Sequence, residues 1–203
     1  MIDGDIWAVN PAGTANATYF RLAATHTASA LTLLQTTFIA AGALNGSGYR
    51  VTLTSVGDLS GVTYTIVGSI VGSQTGAGTT ETIAGGNSAT VTTTNYWSSI
   101  TSITPSGTSG ASTLSVGYAV NLALPRTRIR GWNFVGAASA GSFAVTINST
   151  SGTNILTVDT PASAAVASSM MIPGNGILVG RSAASDFGVV VLTQITKATL
   201  YCG

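Results

Sequence analysis

The chain has 203 residues, of which 45% are apolar and only 6% carry a charge, with a formal net charge of +1; ordinary soluble domains have roughly 25% charged residues. That length accommodates one large or two small domains with a buried core. No run of about 18 apolar residues occurs, so a membrane-spanning helix is excluded. The near-neutral balance makes no electrostatic case for nucleic acid, and a single cysteine, Cys202, cannot form a disulfide within the chain.

Taken in order, residues 1 to 18 carry Gly, Pro, Asn and Ala without periodicity and read as an extended N-terminal arm that includes Trp7. The opening residues have no basic region followed by an apolar one, so no secretory leader is expected. Leu31, Leu34 and Phe38 fall near helical spacing, which leaves residues 29–40 open between short helix and strand. From there, period-two alternation dominates. Val51 and Leu53 alternate with Thr52 and Thr54, and Val62, Tyr64 and Ile66 with Thr63 and Thr65. Leu114, Val116, Tyr118 and Val120 follow the same rule, as do Phe143, Val145 and Ile147. Each is the mark of a strand with one buried face.

Turn chemistry separates these runs at Asn45–Gly48, Gly57-Asp58, Gly72–Gly76, Gly85–Asn87, Pro105–Gly107, Ser151-Gly152 and Pro173–Gly176. A spacing of about 8–12 residues between turns predicts an antiparallel sandwich or barrel. Gly188–Leu192 is apolar on both faces and reads as a fully buried strand. Thr160-Pro161 before an Ala-rich stretch has the form of an N-cap and first helical residue, so 160–168 is also open between helix and strand. The fold class is therefore all-β: two antiparallel β-sandwich or jelly-roll-like units behind an extended N-terminal arm. The boundaries are 1–18 for the arm, 19–124 for the first unit and 125–203 for the second.

Catalytic ingredients are sparse. A hydrolytic nucleophile needs a base, most often histidine, and the chain has one histidine, His26, in a Thr/Ala-rich context. Cys202 would serve as a nucleophile only if folded against His26; a terminal strand residue is the simpler reading. The carboxylates Asp3, Asp5, Asp58, Glu81, Asp159 and Asp186 are scattered. Asp58 and Asp159 read as turn or cap residues, and Asp3-Gly4-Asp5 offers too few oxygens for a calcium cage. No Gly-rich loop ends in Lys-Ser or Lys-Thr, and no Cys/His cluster could hold zinc. No catalytic, cofactor-binding or metal-binding residue is expected, and no cofactor.

One feature is positive. Arg126, Arg128 and Arg130 recur at every second residue and would project from one face of a strand, with Trp132 and Phe134 continuing the parity. Two main readings stand, a solvated strand edge whose charges block unwanted pairing or a docking strip for an acidic neighbour, with nucleic-acid contact a minor third. Arg126, Arg128, Arg130, Trp132 and Trp7 form the candidate interface.

The stretch YRVTLTSVGDLSGVTYTIVGSIVG, followed by TETIAGG, TTTNYWSSITSITPSG and STLSVGYA, resembles a β-module of tailed-bacteriophage and prophage structural proteins. The later strings SGTNILTVDTPA, MIPGNGILVG and VVVLTQITKATLYCG resemble a second small module of such proteins; residues 1 to 45 lie outside the resemblance. It implies a non-enzymatic virion protein, above all a capsid decoration or cement protein. Such a protein would act as a homo-oligomer on other virion proteins, the major capsid protein first, with no nucleic-acid or membrane partner. A tail or head–tail component is the first alternative. A carbohydrate-binding or adhesin-like sandwich, with Trp7, Trp97 and Trp132 as aromatic platforms, is the second.

Overall fold

A computed structural model describes residues 7–9, 11, 14–39, 43, 46–73, 78–160, 167–179 and 186–203. Every regular element among them is a strand, and every strand pair is antiparallel. The all-β reading is borne out. The chain forms two compact units, one drawn from Thr14–Phe38 and Gly48–Val120, the other from Met1–Gly13, Ile39–Ser47 and Asn121–Gly203.

The first of these is built from β2 (Asn16–Ala24), β3 (Tyr49–Val56), β4 (Thr63–Ile70), β5 (Thr79–Ala84), β6 (Thr90–Pro105) and β7 (Thr113–Tyr118). They make one six-stranded sheet in the order β2-β7-β3-β6-β4-β5. The long β6 serves two partners: Thr90–Trp97 runs along β3, and Trp97–Pro105 along β4. Its pairing with β3 is irregular around Thr93–Asn95. There the Thr93 hydroxyl accepts the Val51 N–H at 2.9 Å, while the Glu81 carboxylate accepts the N–H groups of Thr94 at 2.6 Å and Asn95 at 3.1 Å. Side chains thus satisfy the backbone donors that the irregular ladder leaves unpaired. Tyr64, Ile66, Val51, Leu53, Leu114 and Val116 are fully buried, as the alternation predicts. An aromatic cluster closes this core: Tyr49 stacks on Tyr118 at 4.7 Å, and Phe38 meets Phe20 edge-on at 4.9 Å.

Residues 29–38 are not helical. Leu31 donates its N–H to Ile103 O and Leu34 to Phe20 O, and Ile100 donates to Thr36 O. Thr37 bridges Ser99. Leu31 and Phe38 are buried but Leu34 is 57% exposed, so the apolar positions do not share the single face a helix would need. Threonines at 32, 36 and 37 further disfavour helix, being stiff at χ1. Pairing with β2 and β6 decides the outcome.

The other unit holds β1 (Trp7–Val9), β8 (Ala123–Leu124), β9 (Thr127–Gly136), β10 (Gly141–Ile147), β11 (Asn154–Thr160), β12 (Ala167–Met171), β13 (Ile177–Val179), β14 (Gly188–Thr193) and β15 (Ile195–Cys202). A five-stranded sheet runs β1-β15-β9-β12, with β13 also on β9, and a four-stranded sheet runs β11-β10-β14-β8. Phe143 of the second sheet stacks against Phe134 at 6.1 Å and Trp132 at 6.4 Å, both from the first. The two sheets meet through these rings as a sandwich. Within the 1–18 segment, Trp7–Val9 pairs with Leu200–Cys202 and Asn16 opens β2, so part of the expected arm lies in sheets. Thr160 ends β11, and its hydroxyl accepts the Gly141 N–H at 3.0 Å. Residues 161–166 lie outside the described set, and Ala167 opens a strand.

Candidate interface face

β9 is an interior strand, flanked by β15 on one side and by β12 and β13 on the other. The solvated-edge reading of the arginines is therefore overturned. Their parity also changes along the strand. Cys202 pairs with Ile129 and Tyr201 with Gly131, so Arg130 is an extra residue on β9, a β-bulge. The bulge inverts the alternation. Ile129 is fully buried ahead of it, and Trp132 and Phe134 are buried after it. Trp132 therefore packs into the sandwich core against Phe143. Trp7 lies in β1, and nothing is described of its side chain.

Arg128 and Arg130 stay on the outer face. Arg128 Nη1 donates to Asn175 O at 3.1 Å and Arg130 Nη1 to Gly174 O at 2.7 Å. The acceptors belong to the Pro173–Gly176 excursion, where the edge formed by β12 and β13 leaves β9; Gly174 and Gly176 have φ of +71° and +67°. Glycine permits that left-handed backbone without steric cost, and the arginines fasten the excursion to the sheet. Arg126 precedes β9, is exposed, and makes no such bond.

The register places Lys197, Thr199 and Tyr201 of β15 on this same outer face, opposite Val135, Asn133 and Gly131, with Ser169 and Met171 of β12 beyond. Their neighbours Ala198, Leu200 and Cys202 are buried. A hollow of about 330 Å³ is bordered by Trp132, Asn133, Ser169, Met170, Met171 and Tyr201. A Cβ at Gly131 would lie 2.5 Å from Met170 O and 2.7 Å from Met171 Sδ, so only glycine fits beneath that strand. Met171 is 57% exposed. The face thus combines Arg128, Arg130 and Lys197 with an exposed thioether and a tyrosine, and none of its outward positions on β9, β12 and β15 is Asp or Glu. The arginine triplet was legible in the sequence. The contribution of Lys197, Tyr201 and Met171 follows only from the pairing of distant strands.

The candidate nucleophile and base are otherwise engaged. His26 Nδ1 lies 3.1 Å from Thr27 O, and Nε2 lies 2.8 Å from Tyr64 Oη. A carbonyl only accepts, so Nδ1 carries the proton and Nε2 accepts from the tyrosine hydroxyl. Burial pushes the Tyr64 phenol up to about 12, which keeps it a donor. Burial also lowers the pKa of His26, so the ring is neutral near pH 7. Cys202 is buried, and burial pushes its thiol up to about 12, away from the reactive thiolate. Asp58 is the turn residue its context predicts: Oδ1 accepts from Ser60 N at 2.9 Å and Ser60 Oγ at 2.7 Å, and these bonds lower its pKa. Asp159, expected at a turn, lies exposed on β11 opposite Ser142. No group of three or more His, Cys, Asp or Glu that could hold a metal occurs among the described residues.

Comparison with family models, with curated proteins and with solved structures finds no match to this chain.

Proposed function

We propose that this chain is a non-enzymatic virion protein of a tailed bacteriophage, a capsid decoration or cement protein that stabilises the head shell. It would dock through the outer face of its five-stranded sheet. The observation that carries the reading is the charge on that flank. Arg126, Arg128, Arg130 and Lys197, four of the seven cations in the chain, lie on or beside a face whose outward strand positions lack Asp and Glu. Such a face favours an acidic neighbour, such as a carboxylate-bearing surface of the major capsid protein, and disfavours a copy of itself in the same orientation. The resembling strings support the module reading: they fall in order on β3, β4, β5, β6 and β7, which form one sheet with β2. Function would come from interface area repeated by particle symmetry, with no bond made or broken.

The test is binding of purified protein to shells stripped of it, with occupancy read by cryo-EM. Replacing Arg126, Arg128 and Arg130 together by Ser should cut occupancy, since leaving a desolvated charge opposite costs about 2–5 kcal/mol, against less than about 1 kcal/mol for a solvated pair. Arg126→Ser alone should weaken binding without lowering the melting temperature, because Arg126 takes no part in fastening the Pro173–Gly176 excursion. Wild-type occupancy of the triple variant at every salt concentration would overturn the docking face. Decoration of tails in place of heads would favour the tail-component alternative.

A further inference from the structure

A second site lies in the other unit, independent of the docking face. Arg21, on β2, and the segment after it border a hollow of about 520 Å³ with His26 and the hydroxyl side chains of Thr25, Thr27, Ser29 and Thr108. None of the described residues that line it is Asp or Glu. A guanidinium has five N–H donors, and Arg21 directs bonds to three carbonyls: Ala24 O at 3.3 Å, Leu114 O at 2.8 Å and Thr25 O at 2.8 Å. Those bonds hold the guanidinium in place at the wall and leave two N–H groups uncommitted. No side-chain hydrogen bond to another described residue engages the hydroxyls of Thr25, Thr27, Ser29 or Thr108. An immobilised, half-buried cation without a counter-ion among the described residues, bordered by hydroxyl donors, is the chemistry that recognises an oxyanion. Its geometry is set before binding, so little side-chain entropy remains to be lost.

We infer that this hollow binds a small oxyanion, a carboxylate or a tetrahedral sulfate- or phosphate-type group, on the Arg21 guanidinium and the surrounding hydroxyls. The charged and titratable side chains facing His26 are Arg21, whose charge disfavours a second cation, and Tyr64, which stays a neutral phenol. A bound anion offsets the Arg21 charge and makes His26 easier to protonate. By reciprocity, binding then tightens as pH falls through the His26 transition.

His26 is the only histidine, so its ring Cε1–H gives one resolvable proton NMR signal in the intact protein. Titration with sodium sulfate and with sodium acetate, against sodium chloride at matched ionic strength, should shift that signal saturably. The midpoint of its pH titration should rise by about half a unit or more, equivalent to about threefold tighter binding to the protonated ring. A response to sulfate alone assigns the tetrahedral class, and a response to acetate alone assigns the carboxylate class. Arg21→Gln should abolish the response. Because Arg21 also ties β2 to Leu114, Ala30→Trp provides the second test: Ala30 lines the hollow and is exposed, so the indole should fill the site while leaving the unliganded His26 titration in place. Equal shifts with chloride, no saturable shift with either oxyanion, or an undiminished response in Ala30→Trp would each overturn the inference.

Discussion

His26 and Cys202 show how little chemistry a residue type guarantees. His26 is spent as a hydrogen-bond bridge between Thr27 O and the Tyr64 hydroxyl. Its pKa is lowered, first by burial, so below the ordinary value near 6.5 the unfolded chain takes up the proton more readily than the folded one. Stability is therefore fully present above about pH 6.5 and is lost as pH falls through that value towards the depressed folded-state pKa. His26→Gln should flatten this part of the pH profile, measured by urea unfolding between about pH 5 and 7; an unchanged profile would show that another group carries it. Cys202, 1% exposed, should resist a thiol reagent in the native protein and react at a rate set by opening of its unit, rising steeply through the urea transition. Fast stoichiometric labelling without denaturant would contradict its burial.

Two bulges do the corresponding work among the elements. On β6 the irregular stretch Thr93–Asn95 lets one strand serve β3 and then β4, and Glu81 accepts two backbone N–H groups there. Glu81→Ala should cost about 1.5–3 kcal/mol, the range for hydrogen bonds involving a charged partner. Glu81→Gln should cost less, since one amide oxygen still accepts. Amide exchange would report the loss as faster exchange at Thr94 and Asn95, ahead of the rest of β6. On β9 the extra residue Arg130 separates two registers, so Ile129 and Trp132 face the same core although their parities differ. A strand-length alternation argument has no means of locating such a step.

Across the whole molecule, the two units are interleaved in the chain, with Thr14–Phe38 and Gly48–Val120 folding apart from the segments on either side. One consequence concerns the five-stranded sheet, whose terminal strand β1 covers the edge of β15 at Leu200, Tyr201 and Cys202. Unpaired edges template pairing with other chains, and a surface with few charges repels its own copies weakly. Removing residues 1–13 should therefore lower the melting temperature and produce concentration-dependent association, measured by light scattering behind gel filtration. A truncated protein that stays monomeric with an unchanged melting temperature would show that β1 adds nothing to the sheet.

The strand content, the buried sides of β4, β7 and β10, and the Asp58 turn were determined by local sequence: β-branched residues, a period of two and short-range side-chain hydrogen bonds each act within a few residues. Tertiary structure decided the rest. Residues 29–38 have a helical spacing of leucines but form irregular backbone, because β2 and β6 offered backbone partners far away in sequence. The arginine triplet was visible as a pattern, yet which of its neighbours shared its face depended on a bulge. Lys197 and Tyr201 joined it through a pairing some seventy residues distant along the chain. Long-range pairing is paid for in loop closure and rewarded only when the whole sheet forms, so no local window of sequence contains the information that chooses it.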